Sequence, residues 1–581
     1  MKKIISYIFL VLMVTSCDLD LNPLTQIPES QEPFNSETGL QMYSNSFYSY
    51  INASDILGDF TSDNCEHIGN PPAIRRAVYT IPTSLGSGGW SWTQLHNINY
   101  FLAHCEASTV SSDIKQRYMA LGKFFRALFY FQKVKAFGDV PWYSKVLQTN
   151  DDEELYKGRD SRVLVMDSVL NDLDEAIKFL PATKYRNRIS KYTALAYKSR
   201  ICLYEGTWRK YHTEAGLPDA DKFLKECISA SKELMDANVY SIYSTGNPSA
   251  DYAALFAGDK VNLTEVILAK SPAPGNNFYY TPYFTSTSNG NYGATNSLVA
   301  DFPMADGTSF VDYYPNAEER EHMPFYKEMA NRDPRLKSTV IYPGYIRVGT
   351  TVPVNNDFAE NRTGYQIIKF VGPPSEDQGG GTREIIMMRY AEVLLNYAEA
   401  KAILGTLTQD DLDKTINVIR KRAGLKARTL PLVTDDVQRS MYRSTSDPNV
   451  LEIRRERRIE LAMEGFRTDD IKRWAEGHLF RDTYKGIYIS GLRTLIDLDG
   501  DSKPDLYVLT PSDNIPSDKI NGVQYFRMSS INGLSEGTKG RLVPYNKKLP
   551  AFENWEYLNP IPTEEITLNP KLKQNAGWNE K

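Results

Sequence analysis

The sequence offers little for redox, metal or thiol chemistry. Five cysteines and six histidines are spread over 581 residues. No Cys-x-x-Cys pair or Cys/His cluster occurs, and no histidine stands at metal-ligand spacing with another, which argues against a zinc centre or a thiol nucleophile. Also missing are a Gly-x-Ser-x-Gly elbow, a phosphate loop, a His-Glu-x-x-His helix and a dinucleotide fingerprint. Long apolar runs are absent as well. The run from Ile4 to Val14 covers eleven residues, whereas a hydrocarbon core of ~30 Å needs about 20 helical residues. The formal charge is −5, or −7 without residues 1–17, so neither value points to nucleic acid or another anionic partner.

What the chain does have begins at its first residues. Lys2 and Lys3, the apolar run and Thr15-Ser16-Cys17 form a short signal peptide with small residues before a cysteine. That ending resembles a lipobox, in which Cys17 becomes the acylated first residue; ordinary secretory cleavage with Cys17 incidental is the alternative. Asp18 to Glu32 is polar, contains proline and has no helical or strand period, so residues 18–35 suit a flexible tether. Cys65, Cys105, Cys202 and Cys227 are even in number and permit disulfides, although a body of more than 500 residues builds a core without them.

Helical patterning fills residues 36–246 and 383–477. In RYAEVLLNYAEAKAILG, Leu394, Tyr397, Ala398, Lys401 and Ala402 fall at helical spacing, with Gly405 as the cap. DLDKTINVIRKRAGL reads as a second helix. LEIRRERRIELAMEGFRTDDIKRW reads as a third, with Ile459, Ala462, Met463 and Phe466 as its apolar stripe. Glu452, Glu456, Glu460 and Glu464 recur beside Arg454, Arg455, Arg457 and Arg458, so intrahelical ion pairs of about 0.2–0.5 kcal/mol each are expected. Because the acids are interleaved, the arginines are structural rather than a nucleic-acid patch. Aligning TALAYKSRICLYEG with EVLLNYAEAKAILG by their terminal glycines brings Leu195 onto Leu394 and Ser199 onto Ala398. The fold class is therefore mainly α, built of tetratricopeptide-like helical hairpins. Residues 247–382 and 478–581 read as loop-rich insertions carrying short β runs such as YIRVGTTVPV and GYQIIKF, with 36–581 as one body.

Two features carry candidate chemistry. Aromatics make up 12% of residues, with 37 tyrosines, and an exposed Trp or Tyr on a rigid scaffold presents a flat face to a sugar ring. Trp90, behind the glycines of SLGSGGWSW, and Tyr279, Tyr280 and Tyr283 in NNFYYTPYF are the candidate platform; the alternative for each is core packing. Trp92 reads as buried, and Trp208 and Tyr292 are the next choices. Asp59 and Asp63, with Asn64, offer hydrogen bonds to hydroxyls, although such residues also cap turns. Asp497, Asp499, Asp501 and Asp505 wrap carboxylates around one point, as a structural Ca²⁺ requires. An acidic surface turn is the alternative reading. Nothing points to a catalytic cofactor.

Several segments in order resemble the SusD/RagB family of nutrient-binding outer-membrane lipoproteins. They are Met1–Cys17, LNPLTQIPES, FGDVPWY at 137–143, FPMADG at 302–307, NRDPRL at 331–336, GYQIIKF at 364–370, the helices after Arg389, and the ending LNPIPTEEITLNPKLKQNAGW. Ala576 stands where the family has Pro before Gly577-Trp578. The resemblance implies a SusD-like fold and a lipid-anchored protein facing the cell exterior. It further implies oligosaccharide binding without catalysis and a SusC-type TonB-dependent transporter as partner. A peptide ligand, a secreted glycan hydrolase and a protein-binding repeat adaptor are the competing readings.

Overall fold

Five helices carry most of the packing in the first half of the chain: α1 (Thr93–Ala107), α2 (Ser112–Phe137), α3 (Arg162–Phe179), α4 (Lys191–Tyr211) and α5 (Ala220–Asp236). The structure is a computed structural model and describes residues 30–271, 292–359, 361–376 and 383–579. Ser161 and Ser190 accept from the amides of Leu164 and Thr193 and so start α3 and α4. α2 packs on α1 and α3, and α4 on α5, so helices adjacent in sequence pack together, as helical hairpins do. Gly206 does not end its helix. α4 continues to Tyr211, and a Cβ on Gly206 would lie 2.8 Å from Leu224 Cγ of α5. This glycine serves close approach of two helices, so using it as a terminus misplaces the repeat boundary.

The chain leaves this shell at β2 (Val266–Lys270) and re-enters at β4 (Ile385–Arg389), which pairs antiparallel with it. Between them, the segments expected as β runs form only isolated bridges, Ile346 with Pro353, Gly293 with Gln366 and Val340 with Ile367. A short ribbon pairs β1 (Cys65–His67) with β3 (Tyr292–Ala294). The later insertion holds two small sheets. β5 (Tyr488–Ile489), β10 (Gly540–Val543) and β9 (Gly533–Leu534) make one; β6 (Leu495–Ile496), β7 (Leu506–Leu509) and β8 (Gln524–Arg527) make the other.

Directly after β4 comes α6 (Tyr390–Ile403), buried nearly all round by α4, α5 and α9 (Pro448–Glu460). Its polar positions are buried too: Asn396 donates to Ser199 Oγ at 3.0 Å, and Glu399 accepts from Arg473 and from Trp474 Nε1. The amides of Gly405 and Thr406 donate to Ala402 and Lys401 carbonyls, closing α6 where the sequence indicates. The second predicted helix splits at Thr415 into α7 (Gln409–Lys414) and α8 (Ile416–Arg422). The third ends at Glu460 instead of running on, and α10 (Arg467–Arg473) starts afresh. The break is backbone-driven: Met463 and Gly465 have φ of 63° and 87°, and a Cβ on Gly465 would meet the Asp55 carbonyl at 2.0 Å. Ile459, Ala462, Met463 and Phe466 therefore do not form one helical stripe.

The charges of α9 are buried, not a solvated face. Among the described residues, Arg455–Glu452 is the one ion pair within the helix; the rest reach outward. Glu460 takes Arg335 at 2.9 Å, Arg389 at 2.6 Å and Arg422 at 2.5 Å, while Arg457 pairs with Asp470 and Arg458 with Asp63 and Asp301. Burial pushes the Glu460 carboxyl up, but Arg422, Arg389 and Arg335 outweigh it and hold the group well below the usual carboxylate range. Against burial, Arg473 and then Arg457 and Arg454 hold Glu399 down to about 2. The arginines are structural, as expected, but they act between segments. No helix among the described residues is long and apolar enough to cross a membrane.

Candidate functional site

Trp90, Asp59 and Asp63, singled out as ligand contacts, turn out to hold the fold together. Trp90 is 1% exposed, edge-on to Phe137 at 4.8 Å and to Trp92 at 5.4 Å, and so is not a surface platform. Asp59 is fully buried and accepts from the amides of Met463 and Arg467 and from Asn64; burial raises its carboxyl to about 6 against those hydrogen bonds. Asp63 is buried between Arg458 and Arg467. Neither carboxylate is free for a ligand hydroxyl. Trp208 is buried under Arg162 and stacked on His212 at 3.8 Å. Tyr279, Tyr280, Tyr283 and Cys17 lie outside the described residues. The four remaining cysteines are unpaired and buried.

The acidic loop divides. Asp497, Asp499 and Asp501 bring carboxylate oxygens within 4.8 Å of one another. Asp505 stays apart from this trio, accepting from the Leu498 amide at 2.8 Å and from Asn355 Nδ2 at 3.1 Å. The trio also accepts its own loop's amides, Gly500 and Ser502 onto Asp497 and Lys503 onto Asp501, and Lys503 Nζ pairs with Asp501 at 2.8 Å.

An aromatic groove of about 630 Å³ lies beside Trp90, with Trp92 and Tyr143 half-buried along it. The loop after α2 builds one wall. Tyr130 Oη accepts from the Tyr143 amide, Asp160 accepts from the Trp142 amide at 2.7 Å, and Asn99 Nδ2 donates to the carbonyls of Tyr143 and Lys145. These bonds fix the FGDVPWY turn, so Tyr143 stands edge-on to Trp92 at 5.8 Å without freedom to collapse. Lys133 donates to the carbonyls of Gly89 and Ser91 beneath the groove, and burial lowers its ammonium to about 8. The rim comes from Tyr156, 48% exposed, and from Leu568 of α11 (Thr563–Leu568), 59% exposed. α11 is tied down on either side: the Thr563 amide donates to the Pro82 carbonyl at 3.0 Å, and Asn569 Nδ2 to the Lys157 carbonyl at 2.8 Å. His96, Asn97 and Lys145 supply polar groups among these apolar faces. Such a surface, concave and mostly apolar with a few convergent polar groups, is what a ring-shaped ligand stacks into.

Sequence reading missed Tyr143 and Tyr156 and placed Trp92 in the core. The available signal was the Gly-Asp-Val-Pro turn of FGDVPWY directly after a long helix, which presents aromatics on a short pinned loop. A smaller aromatic patch sits at the β1–β3 ribbon. Tyr292 stacks on Phe60 at 3.9 Å and meets His67 edge-on at 4.9 Å, just after the segment that carries Tyr279–Tyr283.

Helix pairs carrying docked, loop-rich insertions and an open aromatic groove define a helical-repeat scaffold with a surface for ligands. The chain belongs to the SusD family, whose profile matches residues 264–578; a second profile, described as "Starch-binding associating with outer membrane", matches residues 90–203. SusD-like protein P38 of Formosa agariphila is 27% identical over 375 residues, 60% of this chain and 64% of that protein. SusD-like protein P2 of the same organism is 24% identical over 506 residues, 82% of this chain and 92% of its own length. The chain thus spans just under two thirds of P38 and, at 50%, half of the relative P25. Among solved structures, a SusD-like carbohydrate-binding protein of Bacteroides fragilis matches with a TM-score of 0.67 at 23% identity, covering 93% of this chain and 100% of that one. Surface glycan-binding protein A of Bacteroides fluxus matches with 0.56 at 17%, covering 93% and 99%. At these identities the structural likeness speaks for the fold.

Proposed function

We propose that the protein captures an oligosaccharide without cleaving it and delivers it to a SusC-type TonB-dependent transporter. In this reading it is an outer-membrane lipoprotein, acylated at Cys17 and facing the cell exterior. The observation that carries ligand capture is the groove of Trp92, Tyr143 and Tyr156, held rigid by side-chain to backbone hydrogen bonds. A preformed aromatic surface loses little side-chain freedom when a sugar ring stacks on it. The family description as starch-binding and outer-membrane-associated supports the ligand class and the location. The solved relatives named for carbohydrate and glycan binding support a binding role rather than hydrolysis. Tyr279, Tyr280 and Tyr283, which precede Tyr292 in sequence, are proposed as further ligand contacts.

Titration against a glycan panel, with product analysis, tests capture. Trp92→Ala/Tyr156→Ala should weaken binding by about 1–3 kcal/mol, the loss typical of central aromatic anchors. Tyr292→Ala, by comparison, identifies whether the β1–β3 patch shares the ligand. Retention with release of reducing ends would make the protein a hydrolase. Binding only to peptide or only to protein would replace the glycan reading. The anchor is tested by fractionating cells that carry Cys17→Ala: a variant held in the outer membrane as firmly as the parent, even without the transporter, would remove it from the proposal.

A further inference from the structure

The loop that leads into α1, residues 84–92, is rich in glycine, and Gly88 and Gly89 stand at φ of 58° and 89°. Such a backbone gives up much conformational freedom when it is fixed, so its anchors decide its shape. Three kinds of anchor are present. The Trp90 indole is buried against Phe137. Glu564 and Glu565 of α11 accept from the amides of Leu85 and Gly86. Lys133 of α2, 7% exposed, donates to the carbonyls of Gly89 and Ser91, the second at 2.6 Å. The same ammonium lies 5.2 Å from the Trp92 ring centroid and 4.9 Å from that of Phe129.

One ammonium thus fastens the loop, and the loop in turn is tied to α11. Trp92 lines the aromatic groove, as do Glu565 and Leu568 of α11. Hydrogen bonds from a charged donor are roughly twice as strong as neutral ones, and attraction to the ring face needs the charge outright. Neutralising Lys133 therefore loosens the loop even while its two hydrogen bonds remain formed. We propose that Lys133 is the positioning residue of the groove, its charge keeping residues 84–92 and the Trp92 face in the shape that receives a ligand. That charge is within reach of mild alkali. Burial lowers the ammonium to about 8, and Glu565 is the titratable group around it that opposes this fall. The inference rests on reading the groove as the ligand surface, and capture then weakens as the pH rises from about 7 to about 9.

The test uses the full chain in two arms. Without ligand, acrylamide quenching of Trp92, taken as the difference from the same chain carrying Trp92→Phe, should rise with a midpoint near pH 8. Lys133→Arg, charged throughout this range, should show no such rise, and Lys133→Met should be quenched strongly at every pH. With maltoheptaose as the probe, the calorimetric affinity of the parent should fall about fivefold from about pH 7 to about pH 9, with flat profiles in both variants. A packing role alone would lower affinity without producing a midpoint. Quenching that stays flat in the parent overturns the inference, and so does a fall of equal size in Lys133→Arg. The quenching transition without any maltoheptaose binding supports the inference and counts against the ligand reading of the groove instead.

Discussion

The glutamates of α9 and the aspartates of the 497–505 loop are both dense runs of acid in sequence. The first run is buried and answered by arginines from distant parts of the chain; the second faces water and is answered largely by its own amides and one lysine. The difference lies in where the partners come from. An acid whose partners lie 38, 71 and 125 residues away, as for Glu460, ties helices and loops together. An acid satisfied within its own loop can be altered without the fold noticing.

The comparison can be broken most severely at Glu460. Glu460→Gln keeps the shape and removes the charge shared by Arg335, Arg389 and Arg422, so urea unfolding should show a loss of ~3–5 kcal/mol, the range for breaking a buried charge cluster. A loss under about 1 kcal/mol would mean that the remaining acids compensate and the cluster is not what joins these segments. Acid should act next. Glu460 and Glu399 have folded pKa values below the unfolded value of ~4.3, so their stabilisation is complete above about pH 5 and disappears as the pH falls through 4 toward 2. Glu399, held down chiefly by Arg473, contributes to the same window. The urea midpoint should fall steeply there, and Glu460→Gln should fall less than the parent; parallel slopes would contradict the assignment.

The exposed loop should respond least. Asp499→Ala should change stability by under ~0.5 kcal/mol without metal, as surface substitutions usually do. If Asp497, Asp499 and Asp501 hold Ca²⁺, titration with Ca²⁺ should give heat with the parent and none with Asp499→Ala, since a hard cation needs several oxygens at once. Equal heats from both proteins would leave the loop an ordinary acidic turn.

Much of the helical scaffold was legible because apolar periodicity and the Gly405 cap are local signals. Burial of α9 was not, since an Arg/Glu-rich run looks the same whether it meets water or a ring of partners. Trp90 misled for a related reason. Glycines before a tryptophan suggested exposure, but Gly86, Gly88 and Gly89 have positive φ and fold the chain back, which carries the indole against Phe137. The site aromatics that did emerge, Tyr143 and Tyr156, belong to loops pinned by Asn99, Tyr130 and Asp160, and that pinning is a tertiary fact. Asp59 and Asp63 were visible as a polar pair, but only their placement beside Met463, Arg458 and Arg467 assigns them to the core.

Four unpaired thiols are distributed through this scaffold: Cys105 on α1, Cys202 on α4, Cys227 on α5 and Cys65 on the β1–β3 ribbon. Burial pushes Cys105 and Cys227 up to about 12 and holds Cys65 and Cys202 well above the ordinary thiol value, so none is a ready nucleophile in the folded chain. Alkylation at each can proceed only as fast as its own surroundings open. The sequence in which the four become labelled therefore ranks the breathing of ribbon and helices, and a glycan that slows one thiol and not the others reports which part of the body it has clamped.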